Sequence, residues 1–342
     1  MRLLIALVIS STTVLTSPGL AQDGYQGPVS VEAYWENDAV FYKPNHPTDR
    51  WYTNGAGISV LWEPRFAEDL SNWLPFAEQF GEADRVPIGF TVGQLMFAPD
   101  DIRRSTLIPN DRPYAGYLYG AAIVQRIRGN TMDHFQLEIG QTGDASLGED
   151  AQKFVHEILD GDEPMGWDNQ IDDEIQFQAY VRKRWRLDLT AGQDQTAEAS
   201  DFGVQIIPEI GGALGTVYRH VEIGMTARIG WRLPDDFGPS RLQSIAPPAE
   251  RQDGWSIYGF LRTTARISEE NLFVEGSYSR GGHGLDNNVL VGEFQGGVKV
   301  ACTSGDWSVN LGYSQTYTTP EFDDQPAWHG FGAWTLAVQH WF

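Results

Sequence analysis

Gln152 and His156 are four residues apart, which on a helix places both on one face, and Asn37, Asp38 and Thr53 sit in or beside two strand-like stretches far upstream. Imidazole is the side chain whose unperturbed pKa lies nearest neutrality, so His156 is a candidate general base. A carboxylate with amide oxygens, as Asp38 and Asn37 offer, is the donor type calcium prefers. Each also has a plainer reading. His156, one of seven histidines, fits a solvated position on a helix's polar face, and Asp38 fits a strand end in water. Asp133 and His134 are a rival pair, but they lie near a tight turn at Arg128-Gly129-Asn130. Counted from Glu32 and Tyr34, strand alternation turns Asp38 inward and Asn37 outward.

The segment carrying Gln152 and His156 predicts a short external helix. Ser146-Leu147-Gly148-Glu149 matches a capping box, in which hydroxyl and carboxylate satisfy free amide groups. Ala151, Phe154, Val155 and Ile158 form an apolar stripe and Gly161 is placed to end the helix. Laid across a rim, such a helix would present Gln152 and His156 to lipid.

The elements that must position these residues read as strands. Val221, Ile223, Met225, Ile229 and Trp231 fall on one face of a segment whose other face carries Glu222, Thr226 and Arg228, and Ile175 to Asp188 alternates likewise. Segments this long cross a bilayer at a tilt, with the charged face inward and the apolar face on lipid. The chain ends in an alternating aromatic strand from Trp334 to Phe342, and a terminal Phe there resembles the export signature of bacterial outer-membrane proteins. The expected fold is therefore all-β: a transmembrane antiparallel β-barrel, taken as twelve strands because bacterial barrels have even counts. The predicted strands are 29–42, 52–63, 86–97, 114–127, 131–141, 174–188, 201–213, 218–232, 255–277, 288–303, 306–317 and 330–342. The ninth stays one long strand with a possible bulge near Ser268-Glu269-Glu270. Segments 64–85 and 233–254 are expected as long periplasmic links, and 43–51, 98–113 and 142–173 as external loops.

Residues 1–21 read as a secretory signal, with one charge at Arg2, an apolar run from Leu3 to Leu15, and Gly19-Leu20-Ala21 suited to a signal peptidase. The barrel domain is then 22–342, in the bacterial outer membrane, with the barrel-assembly machinery as a partner and a monomer as the working form. A single cysteine, Cys302, excludes an internal disulfide. The net charge of −22 argues against nucleic acid and suits divalent cations.

The stretches END at 36–38, DRWYTNG at 49–55, NDRPYAGYLYG at 110–120, AQKFVHEI at 151–158 and GWDNQI at 166–171 resemble the lipid A deacylase family, specifically the outer-membrane lipid A 3'-O-deacylases. The match runs in order along most of the mature chain. It implies a twelve-stranded barrel with its active site between the outer wall and the external helix, where calcium-dependent hydrolysis removes the 3'-linked acyloxyacyl group of lipid A in lipopolysaccharide. On this resemblance Asn37, Asp38 and Thr53 take the metal, His156 activates water, and Gln152 orients water or substrate. Arg103 and Arg104 fall where the family has a basic pair, suited to lipid A phosphate. Asp162 or Glu163 corresponds to an acidic residue after the helix.

Two other classes compete. A serine phospholipase needs a serine beside an activating histidine, and no His-x-Ser occurs in the chain. A pore or structural barrel would use the inward Arg182, Arg184, Arg186, Glu222 and Arg228 to line a channel or to plug it by pairing.

Overall fold

The computed structural model describes residues 27–40, 50–72, 81–159, 161–190, 201–278 and 283–342, so the expected signal at 1–21 lies outside the described residues. The strands are β1 (Pro28–Asn37), β2 (Trp51–Trp62), β3 (Ile88–Ala98), β4 (Ala115–Arg128), β5 (Thr131–Thr142), β6 (Ile175–Trp185), β7 (Leu187–Asp188), β8 (Phe202–Gly215), β9 (Tyr218–Trp231), β10 (Gly254–Asn271), β11 (Leu290–Ser304), β12 (Trp307–Thr318) and β13 (His329–Trp341). Apart from β6 and β7, which do not pair with each other, the strands pair antiparallel with their sequence neighbours, β1 pairs with β13 from Pro28↔Trp341 to Asn37↔Gly332, and β6 pairs with β8, so the sheet closes. Both β6 and β7 pair with β8 and make one crossing, broken at Arg186, whose N–H donates to Asn130 O at 2.7 Å. The barrel therefore has twelve crossings, as the even-count expectation has it.

Alternation sorts the side chains as a bilayer requires. Val221, Ile223, Ile229 and Trp231 are exposed on the outer wall, while Glu222, Thr226 and Arg228 are buried in the lumen. Short turns at Gly129 and Gly305, both in the left-handed region, lie at the end that carries Pro28 and Trp341, the periplasmic end.

Two expectations about strand length need correction. The first strand stops at Asn37, where a 3-10 turn covers Asp38–Val40, and 41–42 lie outside the described residues. The ninth segment does carry a bulge between Ser268 and Glu270, but it ends at Asn271 and not at 277. There the Asn271 side chain accepts the Phe273 N–H and starts helix Leu272–Glu275, the preferred work of an N-cap asparagine.

The larger correction concerns 233–254. The segment does not stay outside as a periplasmic link; it enters the lumen and turns back through a tight hairpin in which Arg241 and Ser244 exchange main-chain hydrogen bonds at 3.0 Å. Ser240 donates to Glu32 at 2.7 Å, Tyr119 donates to Leu242 O at 3.3 Å, and Gln125 donates to Ile245 O at 2.8 Å. The inward arginines pair instead of lining a channel. Arg184 and Arg262 hold Glu209 at 2.8 and 2.5 Å, Arg182 pairs with Glu222, and Arg228 with Asp236 on the inserted segment. At the outer mouth Phe273 stacks on Phe97 with ring centroids 4.2 Å apart, and the Arg112 guanidinium lies over Phe97. Among the described residues the inserted segment and these pairs thus occupy the lumen, beside a cavity of about 100 Å³ lined by Glu36, Tyr52 and Arg241 among others. The sequence hides this plug because a Pro-rich stretch of scattered polar residues has no periodicity.

Candidate active site

At the outer end of β1 and β2, Asn37 faces Asn54 across the ladder, and its Nδ2 donates to Asn54 Oδ1 at 3.2 Å. Trp35 Nε1 donates to the same oxygen at 3.0 Å, so these side chains share the outer wall. Asn37 Oδ1 accepts the Ala39 N–H at 2.8 Å and thereby starts the turn that takes Asp38 out of the strand. The inward parity expected for Asp38 therefore does not apply. Nor does Asp38 end the strand in water: it is buried and its Oδ2 accepts the Arg50 N–H at 3.0 Å.

Thr53 is the extra residue of a bulge. Tyr52 pairs with Phe97 and Asn54 with Met96, leaving Thr53 between them with its hydroxyl donating to Met96 O at 3.2 Å. The bulge puts Tyr52 inside, where its hydroxyl donates to Glu36 at 2.6 Å, and keeps Asn54 outside beside Asn37.

The external helix, Gly148–Leu159, seats on the same wall. Gln94, on the outer face of β3, donates to Ser146 O at 2.7 Å. Gly116 of β4 lets the helix start approach, since a Cβ there would lie 2.0 Å from Ser146 Oγ and 3.1 Å from the Gly148 Cα. The expected capping box does not form. Ser146 Oγ donates to Gly143 O and accepts the Gly148 N–H, while the Glu149 carboxylate takes Lys153 at 2.5 Å, one turn on.

The orientation of this helix also reverses the expectation. Gln152 and His156 are 3% and 8% exposed, whereas Phe154 is 51% exposed. Gln152 and His156 turn inward and Phe154 turns outward, as on a helix that sets a polar pair against protein and an apolar side chain toward lipid. Two contacts fix the polar pair. Trp167 Nε1 donates to Gln152 Oε1 at 2.8 Å, and His156 Nδ1 donates to the main-chain oxygen of Asp162. A carbonyl only accepts, so Nδ1 carries a proton, and in the neutral ring the lone pair lies on Nε2. The Gln152 amide, held by its oxygen, keeps its Nε2–H₂ buried with no hydrogen-bond partner among the described residues. Asp162 thus meets His156 through its backbone and not its carboxylate, and Glu163 acts electrostatically on Lys153.

Arg103 and Arg104 lie in the loop after β3, beside this assembly and exposed to solvent. Arg103 Nε donates to Asp101 at 3.1 Å and stands 4.0 Å from the Asp162 carboxylate, and Asp101 followed by Asp162 holds its guanidinium above the ordinary range. Arg104 donates to Thr106 at 3.2 Å. The loop is tied to the segment after the helix by Met165 N–H to Ile102 O at 2.8 Å and by packing of Ile102, Tyr114 and Trp167. Asp111 accepts the N–H groups of Asp100 and Arg112, and burial pushes its carboxyl up.

Site residues not singled out by the sequence reading include Trp167, Gln94, Asn54 and Gly116. The GWDNQI and YAGYLYG stretches carried a signal for Trp167 and Gly116, but nothing in sequence spacing assigns a tryptophan to an amide fifteen residues away. The rival His134 is buried in the lumen between Gln125 and Gln136, and Asp133 pairs with Lys183 at 2.6 Å.

Asp38, Asn37 and Thr53 fit a hard divalent cation by donor chemistry: one buried carboxylate, an amide oxygen and a hydroxyl. No group of three or more His, Cys, Asp or Glu that suits a metal occurs among the described residues, so the set offers one anionic ligand and relies on neutral oxygens.

A closed antiparallel barrel with a filled lumen, carrying polar residues clamped between its outer wall and an apolar-faced helix, defines an outer-membrane protein whose candidate site lies on its lipid side. The family model "Outer membrane protein LpxR" matches residues 3–340, and the chain belongs to that family. Among solved structures it is similar to LpxR from Salmonella typhimurium at 17% identity, covering 92% of this chain and 100% of that one with a TM-score of 0.68. It is also similar, at 10% identity, to the β domain of the Bordetella autotransporter BrkA, covering 93% of this chain and 100% of that one with a TM-score of 0.45. No curated protein matches the chain.

Proposed function

We propose that this protein is a lipid A 3'-O-deacylase, a calcium-dependent hydrolase that removes the 3'-linked acyloxyacyl group of lipopolysaccharide lipid A at the outer membrane. The observation that carries the reading is the inverted helix: Gln152 and His156 are buried on a helix seated against the barrel wall while Phe154 faces out, so an ester can be reached without its acyl chain leaving the bilayer. Family membership supports the substrate class.

In the neutral tautomer set by Asp162 O, the lone pair on His156 Nε2 accepts a proton from water as that water attacks the ester carbonyl; the bond from the carbonyl carbon to the sugar 3'-oxygen then breaks, and the imidazolium returns the proton to that departing oxygen. The Gln152 amide donor is held by Trp167 and is suited to the carbonyl oxygen, where negative charge develops. Asp38, Asn37 and Thr53 would hold calcium, which when bound supplies Lewis-acid polarisation of that carbonyl. Arg103 and Arg104 grip a lipid A phosphate from the outer rim. The chain is assembled by the barrel-assembly machinery and works as a monomer.

Two observations count against the competing classes. Ser146, the serine at the head of the helix, spends its hydroxyl on Gly143 O and Gly148 N–H and not on a histidine. Segment 233–254 and the paired arginines occupy the lumen among the described residues, which counts against a pore. The direct test is release of the acyloxyacyl group from purified lipid A by the purified barrel in calcium. Absence of release under those conditions contradicts the proposal.

A further inference from the structure

The inner face of β1 and β2 carries a construction directly behind the oxygen donors. Glu36 immediately precedes Asn37 and Tyr52 immediately precedes Thr53, and on the lumen side the Tyr52 hydroxyl donates to Glu36 at 2.6 Å. The tip of the inserted hairpin presses on the same patch. A Cβ at Gly55 would lie 2.0 Å from the Tyr52 hydroxyl and 2.7 Å from Leu242 Cδ1, and one at Gly57 would lie 2.7 Å from Leu242 Cδ2. The two glycines therefore form a seat into which Leu242 fits, and Leu242 is itself buried. The hairpin is anchored on both sides, by Arg241 to Glu293 and by Arg182 donating to Gln243 O at 3.3 Å.

A bulged residue is held more loosely than a paired one, because the ladder is disrupted where it sits. Thr53 has Met96 O on its hydroxyl, and Tyr52 and Asn54 fix the register on either side of it. We infer that Leu242 and the Tyr52–Glu36 hydrogen bond form a luminal brace that holds the Thr53 bulge, so that the plug positions the oxygen donors on the opposite face of the wall. Leu242, Tyr52 and Glu36 are positioning residues: they lie inside the barrel and act through β1 and β2. The catalytic half of this inference rests on the deacylase reading, whereas the mechanical half does not.

The test uses the full barrel folded in detergent, native and as Tyr52→Phe and Leu242→Ala, with Leu242→Met as the conservative variant. Tyr52→Phe keeps the ring and the strand, so it carries the test if Leu242→Ala does not fold. Amide hydrogen exchange is read in residues 50–57 against peptides of β10 to β12 as an internal reference. The brace predicts exchange in 50–57 rising about tenfold or more in both variants, no change in the reference strands, and recovery in Leu242→Met. It also predicts kcat on lipid A falling about tenfold at unchanged KM. Native exchange in 50–57 of folded Tyr52→Phe overturns the brace, and raised exchange with native kcat overturns its catalytic role. Raised exchange in a protein that never cleaves lipid A upholds the brace and removes the deacylase reading instead.

Discussion

The indole of Trp167 donates to the side-chain oxygen of Gln152 at 2.8 Å, across the gap between the segment after the external helix and the helix itself. Because the oxygen is taken, the amide's donor end is the one left for the site. Trp167→Phe keeps the packing against Tyr114 and Ile102 but frees the amide to rotate. Steady-state kinetics should show kcat lowered roughly tenfold, the scale of one lost hydrogen bond that matters in the transition state, with KM nearly unchanged. Unaltered kcat would mean that Gln152 is held by something else.

Gly116 is where the helix start meets the wall. A methyl group there must displace Ser146 and Gly148, so Gly116→Ala should lift the helix while β4 keeps its ladder to β3 and β5. The expected outcome is a normally heat-modifiable barrel with activity reduced by a large factor and faster proteolysis of the 143–171 region. Native activity would show that the helix tolerates the shift.

The barrel was legible in the sequence because alternation writes inside and outside directly into strands such as Val221–Trp231. The helix was legible as an element but not in its orientation. Its stripe of Phe154, Val155 and Ile158 predicts burial in a water-soluble context, and only a lipid surround turns Gln152 and His156 inward. The place of Asp38 is not legible by alternation, which holds only while the strand lasts, and Asn37 ends the strand by accepting the Ala39 N–H. The plug was invisible, since its contacts at Leu242 and Ser244 are to residues more than a hundred positions away, or to arginines whose partners spacing cannot name.

The metal proposal makes a charge-specific prediction. Asp38 is the one anionic group in the donor set, so Asp38→Asn should mimic chelation, with both reducing deacylation about a hundredfold or more. The check is turnover of purified protein in chelator and its restoration by added calcium. Full activity in chelator removes the metal from the mechanism and leaves the fold untouched.

The exposed pair Arg103 and Arg104 should govern substrate capture more than chemistry. Arg103→Ala/Arg104→Ala is expected to raise KM for lipid A several-fold more than it lowers kcat, because a phosphate grip is shared by ground and transition states. Phosphatidylcholine should be a poor substrate for native protein. Comparable cleavage of phosphatidylcholine vesicles would favour a phospholipase.

The most direct measurement is mass spectrometry of lipid A from a host lacking any such activity, expressing native protein or His156→Ala at matched barrel yield. The account predicts lipid A lighter by the 3'-linked acyloxyacyl group with native protein and unmodified lipid A with the variant, since loss of a general base costs roughly 10²–10⁴-fold. Unmodified lipid A with folded native protein, or equal deacylation by folded His156→Ala, would contradict it.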